Sequence, residues 1–261
     1  MLDEFLTLIM VLIALLFSGA PESNILTSSR EMPSVVVDDQ DSMDELVANG
    51  GINISNSVES MGNTFSLAAI AIYDPSGVST CNGVTLNPQW VLSSAHCFRD
   101  DRSFDSYVIF TDTRSTVENI VFVEGADLAL VRLSGDYPDV GCTVLPSTLP
   151  AVGEGASVFV IRGTGSIEQI SLTIDETQYI ADNPAAGLGK HPMISLVSPV
   201  SGELTRDGDS GAGVFISKTN GSPQIQGIVS GVGTKKKAVL VEDISRHTQD
   251  IYTTVGYCSM V

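Results

Sequence analysis

The sequence predicts an all-β protein, and three observations carry that prediction. Short β-rich runs recur from about residue 64 onward, clusters of turn residues separate them, and no long helical period lies between. Strands of this length and spacing belong to barrels or sandwiches. The stretch LPSTLPAVGEG at 145–155, with two prolines and two glycines, divides the runs into two comparable sets, as a linker between two barrels would.

The elements follow in order. Leu6 to Phe17 is a nearly unbroken apolar run followed by Ser18, Gly19 and Ala20, small residues of the kind that precede a signal-peptidase cut. Residues 1–20 therefore read as a signal peptide, and the rest as secreted, extracellular or periplasmic. Asp3 and Glu4 stand where a basic start is usual, so membrane anchoring by residues 6–17 is the less favoured alternative, the run being short for a bilayer. Residues 21–53 are polar and acidic and read as a poorly ordered linker or propeptide. The first set of strand runs is FSLAAIAIY (65–73), YVIF (107–110), ENIVFV (118–123) and LALVRL (128–133). The second is ASVFVI (156–161), ISLTI (170–174), MISLV (193–197), GVFI (213–216), IQGIVS (225–230) and AVLVEDI (238–244).

Charge narrows the function. The formal net charge is -18, and neutralising phosphates needs clustered Lys and Arg, so nucleic acid is not an expected partner. Residues 1–53 hold nine acids against Arg30, which leaves -10 on the remainder. His96, His191 and His247 are scattered without ligand spacing, and neither metal nor cofactor is expected.

Three short stretches suggest chemistry. RDGDSGAG (206–213) sets Ser210 among glycines and an acid, WVLSSAHCF (90–98) places His96 after an apolar run, and EGADLALVRL (124–133) places Asp127 before one. Each alone is explained by ordinary turns or packing. Together, in the order His, Asp, Ser, they resemble the chymotrypsin/trypsin-like serine proteases. The family's histidine motif is close to Ser93-Ser94-Ala95-His96-Cys97, its aspartate motif to Asp127-Leu128-Ala129-Leu130, and its nucleophile motif to Gly208-Asp209-Ser210-Gly211-Ala212. The resemblance covers roughly residues 54–255.

The resemblance implies two six-stranded antiparallel Greek-key β-barrels with the active cleft between them. The domain would span 54–261, with a first barrel at about 54–145 and a second at about 154–255. It implies a serine endopeptidase acting as a monomer on proteins or peptides, with His96 as general base, Asp127 orienting it and Ser210 as nucleophile. A catalytically silent binding module of the same fold is the alternative. The Gly208 and Ser210 N–H groups would form the oxyanion hole. Asp209 would pair with an α-amino group freed by cleavage, at Ile54 or Ile52, which makes a separate activating protease a candidate partner. No Lys or Arg stands just before either isoleucine. Ser230 would bond the triad acid, and Ser230, Gly231 and Val232 would bind substrate as an added strand. Leu204 aligns with the floor of the specificity pocket, so the resemblance implies no preference for basic side chains and a small or medium apolar one instead. Cys81 would pair with Cys97, and Cys142 with Cys258. Asp250–Val255 resembles the family's final strand, with its C-terminal helix absent.

Overall fold

The computed structural model describes residues 67–74, 77–98, 103–110, 114–135, 143–162, 166–183, 186–198, 204–217, 223–233 and 237–256. The expected signal peptide, the acidic segment, Ile52, Ile54, Cys142 and Cys258 lie outside these residues.

Two closed antiparallel barrels make up the described fold. The first contains β1 (Leu67–Asp74), β2 (Gly77–Asn87), β3 (Trp90–Ser93), β4 (Tyr107–Phe110), β5 (Arg114–Phe122) and β6 (Ala129–Leu133). The second contains β7 (Gly155–Arg162), β8 (Ser166–Asn183), β9 (Leu188–Val197), β10 (Gly213–Ser217), β11 (Pro223–Gly233) and β12 (Ala238–Asp243). Neighbours in the first run β1-β2-β3-β6-β5-β4, and the second repeats that order six strands later. Closure leaves neither sheet with an open edge along its length, the usual weak point of an antiparallel sheet.

Three large apolar clusters among the described residues hold this arrangement. One fills the first barrel around Ile70, Val91, Ile109 and Val131. Another fills the second around Val158, Ile194, Val214 and Val241. The third lies between them, where Leu67, Val84 and Leu130 meet Phe159, Phe215 and Ile228. Strands serving two clusters are buried on both faces, and for them the alternation of apolar and polar residues fails. β2 is the example: its first residues alternate, but Cys81 to Leu86 are all buried despite reading C-N-G-V-T-L. Its polar composition hides it from a periodicity search.

Two elements differ from expectation. The run ISLTI is the middle of an 18-residue strand, β8, which pairs with β9 through several register shifts to form a long hairpin. At the C-terminal end the second barrel stops at Asp243, and Thr248–Val255 is an α-helix, α1, rather than a final strand. The β-branched residues Thr253, Thr254 and Val255 suggest a strand, but tertiary packing overrides propensity. The Asp243 side chain accepts from the Ser245 N–H and turns the chain at the end of β12. Helical spacing then buries Ile251 completely in the inter-barrel cluster with Tyr252 and Val255 against it. The Tyr252 hydroxyl ties α1 to the connecting segment, accepting from the Leu145 N–H at 3.0 Å.

Candidate active site

The loop after β3 brings His96 to Asp127. A disulfide joins Cys81 on β2 to Cys97, in the 3-10 turn Ala95–Phe98. Next to it, His96 donates its backbone N–H to Asp127 Oδ1 at 2.9 Å, and its Nδ1 lies 2.8 Å from Oδ2. Two contacts to one carboxylate fix both the position and the ring orientation of the histidine.

Asp127 is fully buried, yet its oxygens are well supplied with donors. Oδ2 also accepts from Ser230 Oγ at 2.5 Å and from Asn183 Nδ2 at 3.1 Å, and the same amide nitrogen donates to Ser230 Oγ at 2.6 Å. Burial pushes the Asp127 carboxyl up, but the hydrogen bonds and charge of His96, with the bond from Ser230, more than offset it and hold the group below the usual aspartate range. The Asp127 N–H donates to Glu242 Oε2 at 3.2 Å, and His191 Nε2 lies 3.0 Å from the same oxygen.

The Ser210 turn is tied to this loop across the barrels. Asn82, beside Cys81, donates its N–H to the Ser210 carbonyl at 2.7 Å and its Nδ2 to the Gly208 carbonyl at 2.8 Å. Ser93 Oγ donates to the Asn82 carbonyl and Ser94 Oγ to the Val229 carbonyl, so the residues preceding His96 are pinned to the strand and turn that flank Ser210. Gly208 and Gly211 have φ of +90° and +85°, which favours glycine. A Cβ at 211 would also fall on the Asn82 carbonyl and Ser93 Oγ. Within the turn the Asp209, Gly211 and Ala212 N–H groups are bonded to carbonyls. Among the described residues, those of Gly208 and Ser210 have no such partner.

A sequence model of the family described as Trypsin matches residues 62–245. The chain belongs to the trypsin family. It is 29% identical over 133 residues to snake venom serine protease 2B of Craspedocephalus gramineus, covering 43% of this chain and 49% of that one. Snake venom serine protease HS114 of Bothrops jararaca is 30% identical over 190 residues, covering 61% of this chain and 69% of that one. The thrombin-like enzyme saxthrombin of Gloydius intermedius is 29% identical over 191 residues, covering 62% and 70%. The match thus spans between about half and seven tenths of these relatives' lengths.

Ile52 and Ile54, expected to supply a freed α-amino group to Asp209, lie outside the described residues. Within them, Asp209 is paired with Arg162, the last residue of β7. Arg162 Nε donates to Oδ1 at 2.9 Å and Nη2 to Oδ2 at 2.5 Å, while the Arg206 N–H adds a 2.8 Å bond to Oδ2. The planar guanidinium fork matches both oxygens of a carboxylate, and the pair is buried.

The remaining expected residues fall as follows. Leu204 is half-buried against the core of the second barrel. β11 pairs with β10 only as far as Ile228, and Gly231 and Val232 run on beyond it, paired with β12 alone. Val232 is exposed, and the space around Gly231 is open. Arg162, Asn183, Asn82 and Glu242 were not anticipated. The only local signal for Arg162 is a charge closing the apolar run ASVFVI, and Asn183 has none.

Proposed function

We propose that the chain is a secreted serine endopeptidase that cleaves peptide bonds through an acyl-enzyme on Ser210. The single observation carrying this reading is the buried, donor-saturated Asp127 clamping His96 at two atoms, in a loop pinned to the Ser210 turn. In that arrangement Asp127 accepts from Nδ1–H and leaves Nε2 as the basic nitrogen. His96 takes the Ser210 proton as Oγ attacks the carbonyl carbon. The C–N bond then breaks, the proton passes to the departing amine, and water repeats the sequence to release the acid.

The Gly208 and Ser210 N–H groups, which have no carbonyl partner among the described residues while their neighbours are bonded, support an oxyanion pocket at the turn. Beyond Val229, among the described residues, β11 pairs with β12 alone, which supports an extended peptide adding there as a strand, largely independent of sequence. Apolar Leu204 and Val232 support a small or medium apolar side chain before the cleaved bond, because burying a lone cation there would be costly.

The test is labelling of the folded protein with a fluorophosphonate, beside Ser210→Ala. Labelling that disappears in the variant is the expected result. A folded protein that does not react at any pH between 6 and about 9 would overturn the reading in favour of a silent binding module.

A further inference from the structure

We propose that Glu242 is a positioning residue for Asp127: from the second barrel it holds the Asp127 backbone, and with His191 as its counter-charge it sets a neutral ion pair, rather than a bare charge, behind Asp127 and His96. The inference rests on the reading of His96 as general base and Ser210 as nucleophile.

β12 reads AVLVED and every residue of it is buried, so the strand carries two acids into the interior. A buried carboxylate is costly unless it is paired and hydrogen-bonded. Asp243 is supplied by Gln226, Ser245 and Arg246. Glu242 is supplied from the proposed site instead. Its Oε2 accepts the Asp127 N–H at 3.2 Å and lies 3.0 Å from His191 Nε2. Asp127 is therefore tied to the second barrel by its side chain, through Ser230 and Asn183, and by its backbone, through Glu242.

The hydrogen bonds of His191 set the charge of the pair. Its Nδ1 lies 3.0 Å from the Gly189 carbonyl, which can only accept, so Nδ1 carries a proton. A neutral ring protonated at Nδ1 has a bare Nε2, and the contact with Glu242 then needs one proton more. With that proton Glu242 and His191 are together neutral. Without it a buried anion stands against the N–H of Asp127, whose own carboxylate is buried and held in its charged form. The titratable groups facing Glu242 are Asp127 from the loop before β6, His191 from β9, and His247, which precedes α1 and whose Nε2 lies 4.0 Å from Oε1. The hydrogen bond to Glu242 holds His191 above the ordinary imidazole value against the effect of burial, and the Gly189 carbonyl and the charges of Glu242 and Asp127 add to it. Because the charge of Asp127 acts on His191, that of His191 acts on Asp127 in return. Removing it leaves a net negative field, which favours the imidazolium form of His96.

The experiment follows the rate of fluorophosphonate labelling of the full chain from about pH 5 to about pH 9 in the wild type, His191→Gln, Glu242→Gln, the double variant and Glu242→Leu, with circular dichroism confirming that each is folded. His191→Gln keeps a hydrogen-bond donor for Glu242 but no positive charge, and is expected to move the midpoint of the acid limb up by about half a pH unit or more. Glu242→Gln is expected not to raise that midpoint, and combining it with His191→Gln returns the midpoint towards the wild-type value. Glu242→Leu lowers the plateau rate about 10–100-fold, the loss of a hydrogen bond to a charged acceptor, and Glu242→Gln, which keeps an acceptor for the Asp127 N–H, recovers most of it. A shift made by removing one charge and cancelled by removing the other reports electrostatics, which a merely structural role would not give. A His191→Gln midpoint equal to that of the wild type overturns the inference, as does a folded Glu242→Leu that labels at the wild-type rate. If Glu242→Leu does not fold, the midpoint of His191→Gln decides. A wild type that never labels overturns the function reading itself, which is a different result from a wild type that labels with a midpoint blind to residues 191 and 242.

Discussion

At Asp127 the cost of burying a carboxylate is turned into orientation. Its donors come from the His96 backbone, the His96 ring, Ser230 and Asn183, and each bond to a charged acceptor is worth about 1.5–3 kcal/mol. Asn183 acts through Asp127 and Ser230, as a positioning residue. Asn183→Leu is expected to lower kcat about 10–100-fold with KM within about twofold, since the lost bond orients the base rather than binds substrate. Steady-state kinetics on a peptide ester would show this, and a change confined to KM would count against the role. Gly211 is the opposite case, a position where nothing can be added. In Gly211→Ala the methyl group would meet the Asn82 carbonyl and Ser93 Oγ at a positive φ, and loss of folded protein in a thermal melt is expected.

Elements carry the site through their ends. β7 delivers Arg162 at its last residue, β8 delivers Asn183 at its last residue, and β11 delivers Ser230 where its pairing with β12 shifts register. Irregular strand ends and bulges are where a sheet can aim a side chain out of its pleat. The 3-10 turn carrying His96 depends on the Cys81–Cys97 disulfide, which closes a loop of 16 residues. Replacing both cysteines by alanine is expected to cost about 3 kcal/mol, measured as the urea unfolding free energy, with activity falling further than stability because His96 adjoins the bridge. α1 is held by one fully buried residue, and Ile251→Ala should cost about 2–5 kcal/mol in the same measurement. If α1 were a loosely attached appendage, that substitution would leave the midpoint unmoved.

Across the whole molecule, two barrels of the same strand order meet at a shared apolar cluster, and the buried polar groups cross that seam at Asn82, Ser94 and Glu242. Stability should therefore respond to pH through the seam. Asp127 is held below its ordinary value, so its contribution is present above the unfolded carboxylate value of about 3.9 and is lost as pH falls through the lower folded value. His191 is raised, first by its hydrogen bond to Glu242, so its contribution is present below the unfolded imidazole value of about 6.5 and is lost as pH rises through the higher folded value. Between those limits both contribute, and the urea midpoint should be highest there. His191→Gln should flatten the decline on the alkaline side and leave the acid side unchanged; parallel curves for wild type and variant would refute the assignment.

The all-β class, the two sets of strands and the three motifs around His96, Asp127 and Ser210 were legible along the chain because each depends on neighbours a few residues apart. Apolar alternation and turn residues are local signals, and so is a glycine that must take a positive φ. What only the tertiary structure decided is partnership. Arg162 meets Asp209, Asn183 meets Asp127, and Asn82 reaches the Ser210 turn across the barrels, pairs separated by 47, 56 and 126 residues or more. Strand or helix at residues 248–255 was settled the same way, by an inter-barrel surface that needed Ile251 on a helical face. A charge at the end of a strand looks the same in sequence whether it meets water or a buried carboxylate, since the desolvation that makes the difference exists only once the barrels have closed.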